Sequence, residues 1–387
     1  MNDEFKVLMV SSRGPEDTVF ESQVLDIIKA WEKYGDVSLL YRSRSEKKVK
    51  VDNINIQQIS HFAPEFGEFP LSVERYLNKQ WSLTSGYDLI HCRGAVSAWQ
   101  VLQSLNQKQR KTVKIVYDCR GIVVEEMEGM WNSSWKRKLL PFKMRAMRDI
   151  ESFVVKEVDI LTTVSDGLSD YLEHHYGRRA DLIIRPIVNA EKFYYSQADR
   201  DAIRAKLNIP NDGVLFIFVG GGAYWQNLDF LQNWWASCKR SNFTLLILSH
   251  TPEAYTQWVN EISVDNIGKI IINSVSHHEV SSYMSAADYG VLFRDDSLVN
   301  KVASPVKLSE YLCTGLQVLT NLSIYGKIQP DDIRVIDLLN PDIGENYPLR
   351  DSSTRETRSV INLSRFSANT AVKDVFTFMK NCRDLCE

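Results

Sequence analysis

The chain has 387 residues, of which 44% are hydrophobic and 25% are charged, and its formal net charge is −3 at neutral pH. This composition excludes a disordered or collagen-like chain, and the near-neutral charge gives no reason to expect a nucleic-acid partner, which usually requires a clustered basic excess. A chain of this length exceeds the size at which one hydrophobic core keeps growing, so we expect two domains.

The start of the chain has acidic residues before a short apolar run and lacks the pattern of a signal peptide. No stretch has the length and apolar character of a membrane span, so the sequence predicts a cytoplasmic protein. Its six cysteines are scattered without metal-type spacing, and in a reducing compartment they are expected to be free thiols.

Short apolar runs alternate with stretches of helical periodicity along nearly the whole chain. In the first half the apolar runs span 5–12, 36–42, 87–93, 112–120, 158–165 and 181–187, and helices are predicted at 21–34, 95–105 and 138–156. In the second half the apolar runs span 213–222, 243–250, 269–276, 289–295, 316–321 and 333–338, with helices near 228–237, 253–259 and 279–285. This alternation predicts an α/β fold with two doubly wound parallel sheets. A polar segment at 188–201 marks the linker, so the first domain is predicted to span 1–189.

Polar side chains follow the predicted strands, where the ligands of open α/β sheets usually bind, and the expected active site is a cleft between the two domains. In the first domain these residues are Arg13, His91, Arg93, Asp118 and Arg120. A structural histidine and a simple Asp118/Arg120 ion pair are the alternative interpretations.

The second domain has a glycine loop after its first strand. Gly220, Gly221 and Gly222 would let a phosphate approach the backbone closely. The spacing differs from the G-x-G-x-x-G pattern of nicotinamide sites, and a tight strand-to-helix turn explains the glycines equally well.

The stretch SPVKLSEYL predicts a helix that begins at an anion site. Ser304 is predicted as the N-cap and Pro305 as the first helical residue, with Lys301 and Arg294 as nearby cations for a diphosphate. Glu310 would then accept hydrogen bonds from the vicinal hydroxyls of a ribose. The alternative is an exposed Lys307/Glu310 pair on a solvated helix face.

Two further features have competing interpretations. The adjacent Asp295 and Asp296 have no third ligand nearby, so we expect a turn rather than a metal site, and no metal cofactor. The segment Trp131–Asp149 carries six basic residues and one acidic residue among aromatic and aliphatic ones. It is predicted either to lie on an anionic membrane surface or to be an ordinary packed helix with a basic face.

The motif S-P-V-K-L-S-E-Y-L-C-T-G-L-Q-V-L resembles the donor-binding segment of retaining glycosyltransferases with the GT-B fold, in family 4 and its relatives. TTVSDGLSDYL, IIRPIVNAEKF and SSYMSAADYGVLF resemble further segments of that family, and RFSANTAVKDVFTFM resembles its closing helix. The resemblance covers most of the chain. It implies two Rossmann-like domains facing across a cleft, with a donor domain at 190–365 and a helix at 366–387 that crosses back to the first domain.

The resemblance also implies roles for individual residues. Catalytic roles fall to His91, Lys301 and Glu310; the donor nucleotide sugar would contact Gly221, Gly222, Arg294, Ser304, Pro305, Val306, Lys307, Val275 and His278; and the acceptor side would contain Arg13, Arg93, Asp118 and Arg120. The implied reaction moves a sugar from a nucleotide-diphosphate donor, a UDP-sugar, to a glycan or lipid-linked acceptor in cell-envelope polysaccharide synthesis. A peripheral position on the inner face of the plasma membrane would follow from the basic segment.

One departure from the family keeps two alternatives open. The family pattern has an acidic residue eight positions before the motif glutamate, where this chain has Val302. This departure favours the alternative of a non-catalytic GT-B subunit that binds nucleotide or glycan. A GT-B sugar-nucleotide epimerase, which would use the same cleft, is the other alternative.

Overall fold

Two parallel β-sheets form the framework of the computed structural model. The structure describes residues 5–17, 19–43, 49–60, 86–130, 134–210, 212–222, 226–238, 240–253, 255–256, 259, 268–321, 333–335, 352–366, 375–378 and 380–381. The strands are β1 Lys6–Ser11, β2 Asp36–Ser43, β3 Asn55–Ser60, β4 Leu89–Arg93, β5 Lys114–Cys119, β6 Ile160–Thr163, β7 Leu182–Ile183, β8 Val214–Val219, β9 Phe243–Leu248, β10 Lys269–Asn273, β11 Tyr289–Leu292, β12 Gln317–Thr320 and β13 Ile333–Val335.

Helices follow most of these strands along the chain. They are α1 Asp26–Trp31, α2 Ala95–Ser104, α3 Gln107–Arg110, α4 Val123–Met130, α5 Ser134–Glu157, α6 Asp166–Tyr176, α7 Gln197–Lys206, α8 Leu228–Ser237, α9 Val280–Ala286, α10 Leu298–Val302, α11 Val306–Cys313 and α12 Ser352–Phe366. A π-helical turn, Glu21–Leu25, leads into α1. None of the helices in the described ranges combines the length and apolar character that a membrane crossing requires.

Both sheets have the doubly wound strand order. The first is β3-β2-β1-β4-β5-β6-β7 and the second is β10-β9-β8-β11-β12-β13, and the paired strands run parallel. The α/β prediction is therefore confirmed. Each predicted apolar run contains one of these strands, and the helix predicted at 253–259 lies partly outside the described residues.

The sequence did not predict β3. Its residues, NIQQIS, are mostly polar, because β3 is an edge strand that pairs with β2 alone. An edge strand need not be apolar on both faces, so it lacks the continuous hydrophobic run that marks the central strands of a parallel sheet.

Contacts divide the chain into two units. Unit 1 comprises residues 1–187, 302–304 and 368–387, and unit 2 comprises residues 188–301 and 305–367. In unit 1, the buried residues Val7 and Leu39 share a core with Ile28 and with Phe376. The ring of Phe376 meets that of Phe5 edge-on, with centroids 5.1 Å apart, so a late segment of the chain completes the core of unit 1.

The central strand of unit 2 is covered on both faces. Leu215 and Ile217 of β8 pack into one apolar cluster, whereas Phe216 and Phe218 pack into another. Successive side chains of a strand point to opposite faces, so this alternation places a hydrophobic layer on each side of the sheet. The four cysteines at 92, 119, 238 and 313 are buried thiols, and Cys382 and Cys386 lie outside the described residues.

A buried arginine network closes the end of α9. Arg355 of α12 donates to the carbonyl oxygens of Met284 and Ala287, at 2.8 and 2.5 Å, and Arg200 pairs with Asp288 at 2.6 Å. The last carbonyl groups of a helix have no partners inside it, so these guanidinium groups supply the missing hydrogen bonds. They also fasten α12 to the rest of unit 2.

Candidate functional site

Each sheet has a topological switch point, which is the place where the order of successive strands along the sheet reverses direction. In unit 1 this switch point lies between β1 and β4, and in unit 2 it lies between β8 and β11. The carboxyl ends of strands beside such a point form the usual binding crevice of an open α/β sheet. The predicted site residues Arg13, Arg93 and Arg294 follow or end these strands.

In unit 1, one carboxylate lies between two arginines. Arg93 and Asp118 are register partners on β4 and β5, and Arg93 Nη1 is 3.8 Å from Asp118 Oδ2. Arg120 Nη1 lies 3.6 Å from Asp118 Oδ1, which also accepts a hydrogen bond from Thr162 at 3.3 Å. The structure thus brings three predicted residues of the acceptor side together.

The charges of this cluster influence one another. Burial alone would raise the pKa of Asp118, but the positive charges of Arg120 and Arg93 help to lower it, so the carboxyl group is ionised at neutral pH. Burial lowers the pKa of Arg93 to about 10, which still leaves the guanidinium charged at neutral pH. The cluster carries two positive charges and one negative charge.

His91 lies deeper than predicted. The sequence placed it after its strand, but β4 extends to Arg93, so His91 is inside the strand and 3% exposed. Its ring meets Trp31 edge-on at 4.9 Å, and its Nδ1 has no hydrogen-bond partner among the described residues. Burial lowers the pKa of His91 to about 4 despite the opposing effect of Asp118, so the ring is neutral at pH 7.

The glycine loop of unit 2 is tightly packed. Gly222 has a positive φ of 77°, which favours glycine, and its N–H donates to Gln226 Oε1 at 2.8 Å. An added Cβ at Gly221 would lie 2.5 Å from the ring of His250, and one at Gly220 would lie 2.6 Å from the side chain of Gln226. Glycine is therefore favoured by the backbone at Gly222, whereas a Cβ at Gly220 or Gly221 would require the side chain of Gln226 or His250 to move.

The helix of the S-P-V-K motif begins one residue later than predicted. The N-cap is Pro305, with an extended ψ of 128°, and α11 starts at Val306. Ser304 therefore lies outside the helix. Pro305, the cap residue, makes no side-chain hydrogen bond to the amide groups of α11. In the first turn, Leu308 N donates to the carbonyl oxygen of Pro305 at 3.1 Å. The amide groups of Val306 and Lys307 precede this first intrahelical donor, so the amino end of α11 retains its capacity to bind an anion.

Glu310 is buried, with only 2% of its surface exposed. Its Oε2 lies 2.5 Å from Lys307 Nζ, so the two residues do form a pair, but the interpretation as an exposed pair is wrong. The neighbouring Tyr311 explains how α11 is held. Its hydroxyl accepts a hydrogen bond from Val219 N at 3.0 Å, and its ring lies where a Cβ of Gly290 would be. Tyr311 thereby ties the helix to β8 and β11 at the switch point.

The remaining donor residues lie on separate loops and helices of unit 2. Arg294 lies two residues after the end of β11, and its carbonyl oxygen accepts hydrogen bonds from Asn227 and Asn321 at 3.0 and 2.7 Å. Val275 and His278 lie on the segment after β10. Lys301 is exposed on α10, where its Nζ lies 3.1 Å from Asp296 Oδ1.

The two adjacent aspartates belong to a turn. Asp295 Oδ1 accepts hydrogen bonds from Ser297 Oγ at 2.6 Å and from Asn300 Nδ2, which holds the start of α10. Within the described ranges, no three His, Cys, Asp or Glu side chains are grouped as metal ligands would be.

The structure identifies candidate residues that the sequence did not. His250 lies against Gly221 at the end of β9, and Glu126 and Arg42 line a cavity in unit 1. His250 and Arg42 lie at the ends of strands, so the rule that ligands bind at strand ends could have identified both residues from the sequence. Glu126 carried a weaker one, as an acidic residue in the first turn of the helix that follows Arg120.

The segment predicted to meet a membrane is mostly helical. Its first residues, 131–133, lie outside the described residues, and the rest belongs to α5. Phe142 on this helix is 75% exposed, and the nearby Lys138 is also exposed. An aromatic ring and an ammonium group on the same outer surface are typical of helices that lie at a bilayer interface.

The sequence is similar to known glycosyltransferases. Residues 20–188 match the model of Glycosyltransferase Family 4. A stretch of 220 residues is 24% identical to TuaH of Bacillus subtilis (strain 168), named as a glycosyltransferase of teichuronic acid biosynthesis. That match covers 56% of this chain and 52% of TuaH, so the chain spans about half the length of the curated relative it matches.

Solved structures share the fold over nearly the whole chain. Anabaena HepE, solved in complex with UDP, superimposes with a TM-score of 0.67 at 13% identity, covering 97% of this chain and 100% of HepE. Sucrose-phosphate synthase from Thermosynechococcus elongatus superimposes with a TM-score of 0.63 at 16% identity, covering 99% and 94% of the two chains. Residues 20–188 are therefore similar to Glycosyltransferase Family 4, and the chain shares the GT-B fold of these glycosyltransferases.

Proposed function

We propose that the chain is a retaining glycosyltransferase of the hexosyltransferase type. It transfers a sugar from a UDP-sugar to a hydroxyl group of a glycan or lipid-linked saccharide, with the donor bound by unit 2 and the acceptor by unit 1. The observation that carries the proposal is the position of Glu310, a buried carboxylate on a helix whose amino end lies at the carboxyl edge of the sheet of unit 2. A relative of similar fold has been solved with UDP-glucose, which supports a nucleotide sugar as the donor.

In this proposal, α11 binds the diphosphate and the ribose of the donor's UDP. Its first amide groups receive the diphosphate together with Ser304, Pro305, Val306 and Lys307, and Glu310 accepts hydrogen bonds from the ribose hydroxyls. A hydrogen bond that involves an ionised group contributes about 1.5–3 kcal/mol, so Glu310 should contribute roughly 10- to 100-fold to UDP affinity.

The remaining donor contacts come from the strand ends of unit 2. Gly221 and Gly222 let the sugar phosphate approach the backbone, Arg294 and Lys301 supply positive charge, and Val275 and His278 line the base. His91 is proposed to act beside the donor sugar, as the family resemblance implies.

The chemistry requires charge stabilisation at the leaving group. When the glycosyl–phosphate bond breaks, negative charge accumulates on the diphosphate, and fixed amide dipoles and cations lower the barrier by stabilising that charge. The acceptor hydroxyl attacks on the face of the departing phosphate, which takes the proton, so configuration is retained. We propose that no metal takes part, because Asp295 is engaged by Ser297 and Asn300; full activity in a chelating buffer tests this point.

The acceptor belongs, in our proposal, to cell-envelope polysaccharide synthesis. The name of TuaH supports this assignment, and the basic surface of α5 suits a protein at the inner face of the plasma membrane. Flotation with vesicles of anionic lipid tests the membrane contact. Phe142→Ser should reduce binding severalfold, whereas Val360→Ser, which alters a 61% exposed apolar residue in unit 2, should leave it unchanged.

The function is tested by incubating the purified protein with a panel of nucleotide sugars. We expect slow release of UDP from one UDP-sugar in the absence of acceptor, and Glu310→Gln should weaken UDP binding by at least about tenfold. Glu356→Gln serves as the matched control, because Glu356 is exposed on α12 of the same unit.

Other outcomes of the same experiment would contradict the proposal. Binding of a nucleotide sugar without any turnover identifies a non-catalytic subunit, and conversion of the sugar without UDP release identifies an epimerase. The configuration of the product, read from the coupling constant of its anomeric proton, decides whether the reaction retains or inverts.

A further inference from the structure

Unit 1 contains a cavity of about 340 Å³ at its switch point. Residues 11–13 after β1, residues 93–96 after β4 and residues 120–121 after β5 contribute to its wall. Cavities that bind small molecules begin at about this volume, so the space suits one monosaccharide unit better than an oligosaccharide.

Four arginines line this cavity. They are Arg13, Arg42, Arg93 and Arg120, and the acidic residues in the same wall are Asp17 and Glu126. Arginine is the side chain best suited to bind phosphate and carboxylate groups, because its planar fork can donate two parallel hydrogen bonds.

Two of the four arginines are fixed in place by other parts of unit 1. Arg120 donates to Gln23 Oε1 at 2.6 Å and to the carbonyl oxygen of Ile184 at 3.3 Å, and Arg93 donates to the carbonyl oxygen of Gln23 at 3.3 Å. Both share the single carboxylate of Asp118. Their orientation is therefore set before a ligand arrives, which lowers the entropy cost of binding.

The third arginine lies at the mouth of the cavity. The side chain of Arg13 is 66% exposed, and its Nη1 is 3.3 Å from Asp17. An exposed pair of this kind contributes little free energy, so Arg13 can exchange Asp17 for an anionic ligand at small cost.

A helix begins at the same cavity. Gly94, with a φ of 88°, precedes α2 and provides no side-chain cap, and Ala95 and Val96 line the cavity. The ten residues of α2 direct the positive end of the helix dipole and its first amide groups to this wall. The positive end of the α2 dipole and the charges of the arginines therefore both favour an anionic ligand.

Glu126 adds to the wall of the cavity a carboxyl group that can form hydrogen bonds. An added Cβ at Gly121 would overlap Glu126 Oε1, so the carboxyl group lies directly against that backbone. Burial raises the pKa of Glu126, and Arg13 opposes part of the rise. A carboxyl group in such a position accepts hydrogen bonds from sugar hydroxyls, as well as donating one when it is protonated.

We propose that this cavity binds an anionic saccharide, with a phosphate or carboxylate substituent held by the arginines and α2, and with ring hydroxyls on Glu126. The inference rests on the proposed function, in which unit 1 binds the acceptor, and it names the chemical class of that acceptor. It also gives a role to the four arginines that line this one cavity.

Calorimetric titration of the full chain, without donor, tests the proposal. The probes are glucose 1-phosphate, glucuronate and glucose. We expect at least one of the two anions to bind at least tenfold more tightly than glucose, and to bind more weakly when the salt concentration rises from 50 to 300 mM, about a halving of the Debye length. The better of the two anions distinguishes phosphate from carboxylate recognition.

Arg13→Gln should weaken binding of the better anion at least about fivefold. Arg179→Gln is the matched control, since Arg179 is 58% exposed, is paired with Asp170 and Glu173 and does not line the cavity. Equal binding of glucose, absence of binding by both anions, or an Arg13→Gln protein that binds like the wild type would each overturn the proposal.

UDP provides the last discrimination. If UDP displaces the bound anion, the cavity belongs to the donor and the proposal is wrong. Anion binding with no turnover of any nucleotide sugar would instead leave this site in place and refute the proposed function. Turnover of a nucleotide sugar without anion binding would refute the anion site and leave the proposed function in place.

Discussion

The two sheets share one strand order but carry different chemistry at their switch points. In unit 1 the carboxyl edge is rich in arginine and opens into a cavity, whereas in unit 2 it carries a glycine loop and one buried carboxylate, Glu310. The strand order sets where a ligand can bind, and the residues after each strand decide which ligand it is. Substitutions at one edge can therefore be tested for effects that stay in their own unit.

The largest effect is expected in unit 1, for Asp118→Asn. The substitution leaves Arg93 and Arg120 beside a neutral amide, and removing one partner from a buried charge cluster usually destabilises a protein by about 3–5 kcal/mol. We expect faster hydrogen exchange in β4 and β5, measured by mass spectrometry. Hydrogen exchange in β8 and β11 and the affinity for UDP should not change, and they serve as internal controls. Faster exchange in both units would contradict the expectation that a change at the strand ends of unit 1 leaves unit 2 unaffected.

A pH effect of up to about 3 kcal/mol is expected from His91. Its pKa falls from 6.5 in the unfolded chain to about 4 in the folded one, so only the unfolded state takes up a proton between these values. The stabilisation is therefore complete above pH 6.5 and is lost as the pH falls toward 4. Urea unfolding across this range should show a smaller pH dependence for His91→Gln than for the wild type.

The control for this measurement is His174→Gln, because His174 is exposed on α6. It should keep the pH dependence of the wild type. If His91→Gln also kept it, the ring would have to be protonated in the folded protein, and the neutral state inferred from its burial would be wrong.

A smaller loss, of about 1–3 kcal/mol, is expected for Gly290→Ala in unit 2. The added Cβ would lie 2.7 Å from the ring of Tyr311, and a buried ring between β8 and β11 cannot move without shifting α11. UDP binding should weaken together with stability, because Glu310 precedes Tyr311. Anion binding in unit 1 should stay at its wild-type value, which calorimetry can measure on the same sample.

The smallest effect on stability is expected for Gly121→Ala, below about 1 kcal/mol. The new Cβ meets only the flexible end of Glu126, which can turn away. Displacing that carboxyl group should nevertheless reduce binding of the anionic sugar severalfold and leave binding of inorganic phosphate unchanged. Equal losses for both probes would mean that Glu126 does not contact the sugar ring.

The sequence was sufficient for the fold because central parallel strands are apolar on both faces, as β1 and β8 illustrate. It failed for β3, where edge pairing tolerates polar residues. It also predicted α11 one residue too early, because Ser304 and Pro305 both favour helix starts and only the extended ψ of Pro305 decides between them.

The candidate sites were partly predictable. Strand-end residues such as Arg93 and Asp118 could be found, since topology brings the ends of neighbouring strands together. The burial of Glu310 could not, because helical spacing shows the pairing with Lys307 but not what covers the pair. Glu126 was missed for a related reason: its contact with Gly121 depends on the path of the loop between β5 and α4.

The interrupted course of unit 1 along the chain has a consequence for synthesis on the ribosome. Val375 and Phe376 belong to the core of unit 1, yet they are translated after all of unit 2. Unit 2 can therefore reach its native packing first, while Phe5 waits for the ring that covers it. A chain that ended at residue 367 would contain all of unit 2 but would lack Val375 and Phe376 in the core of unit 1.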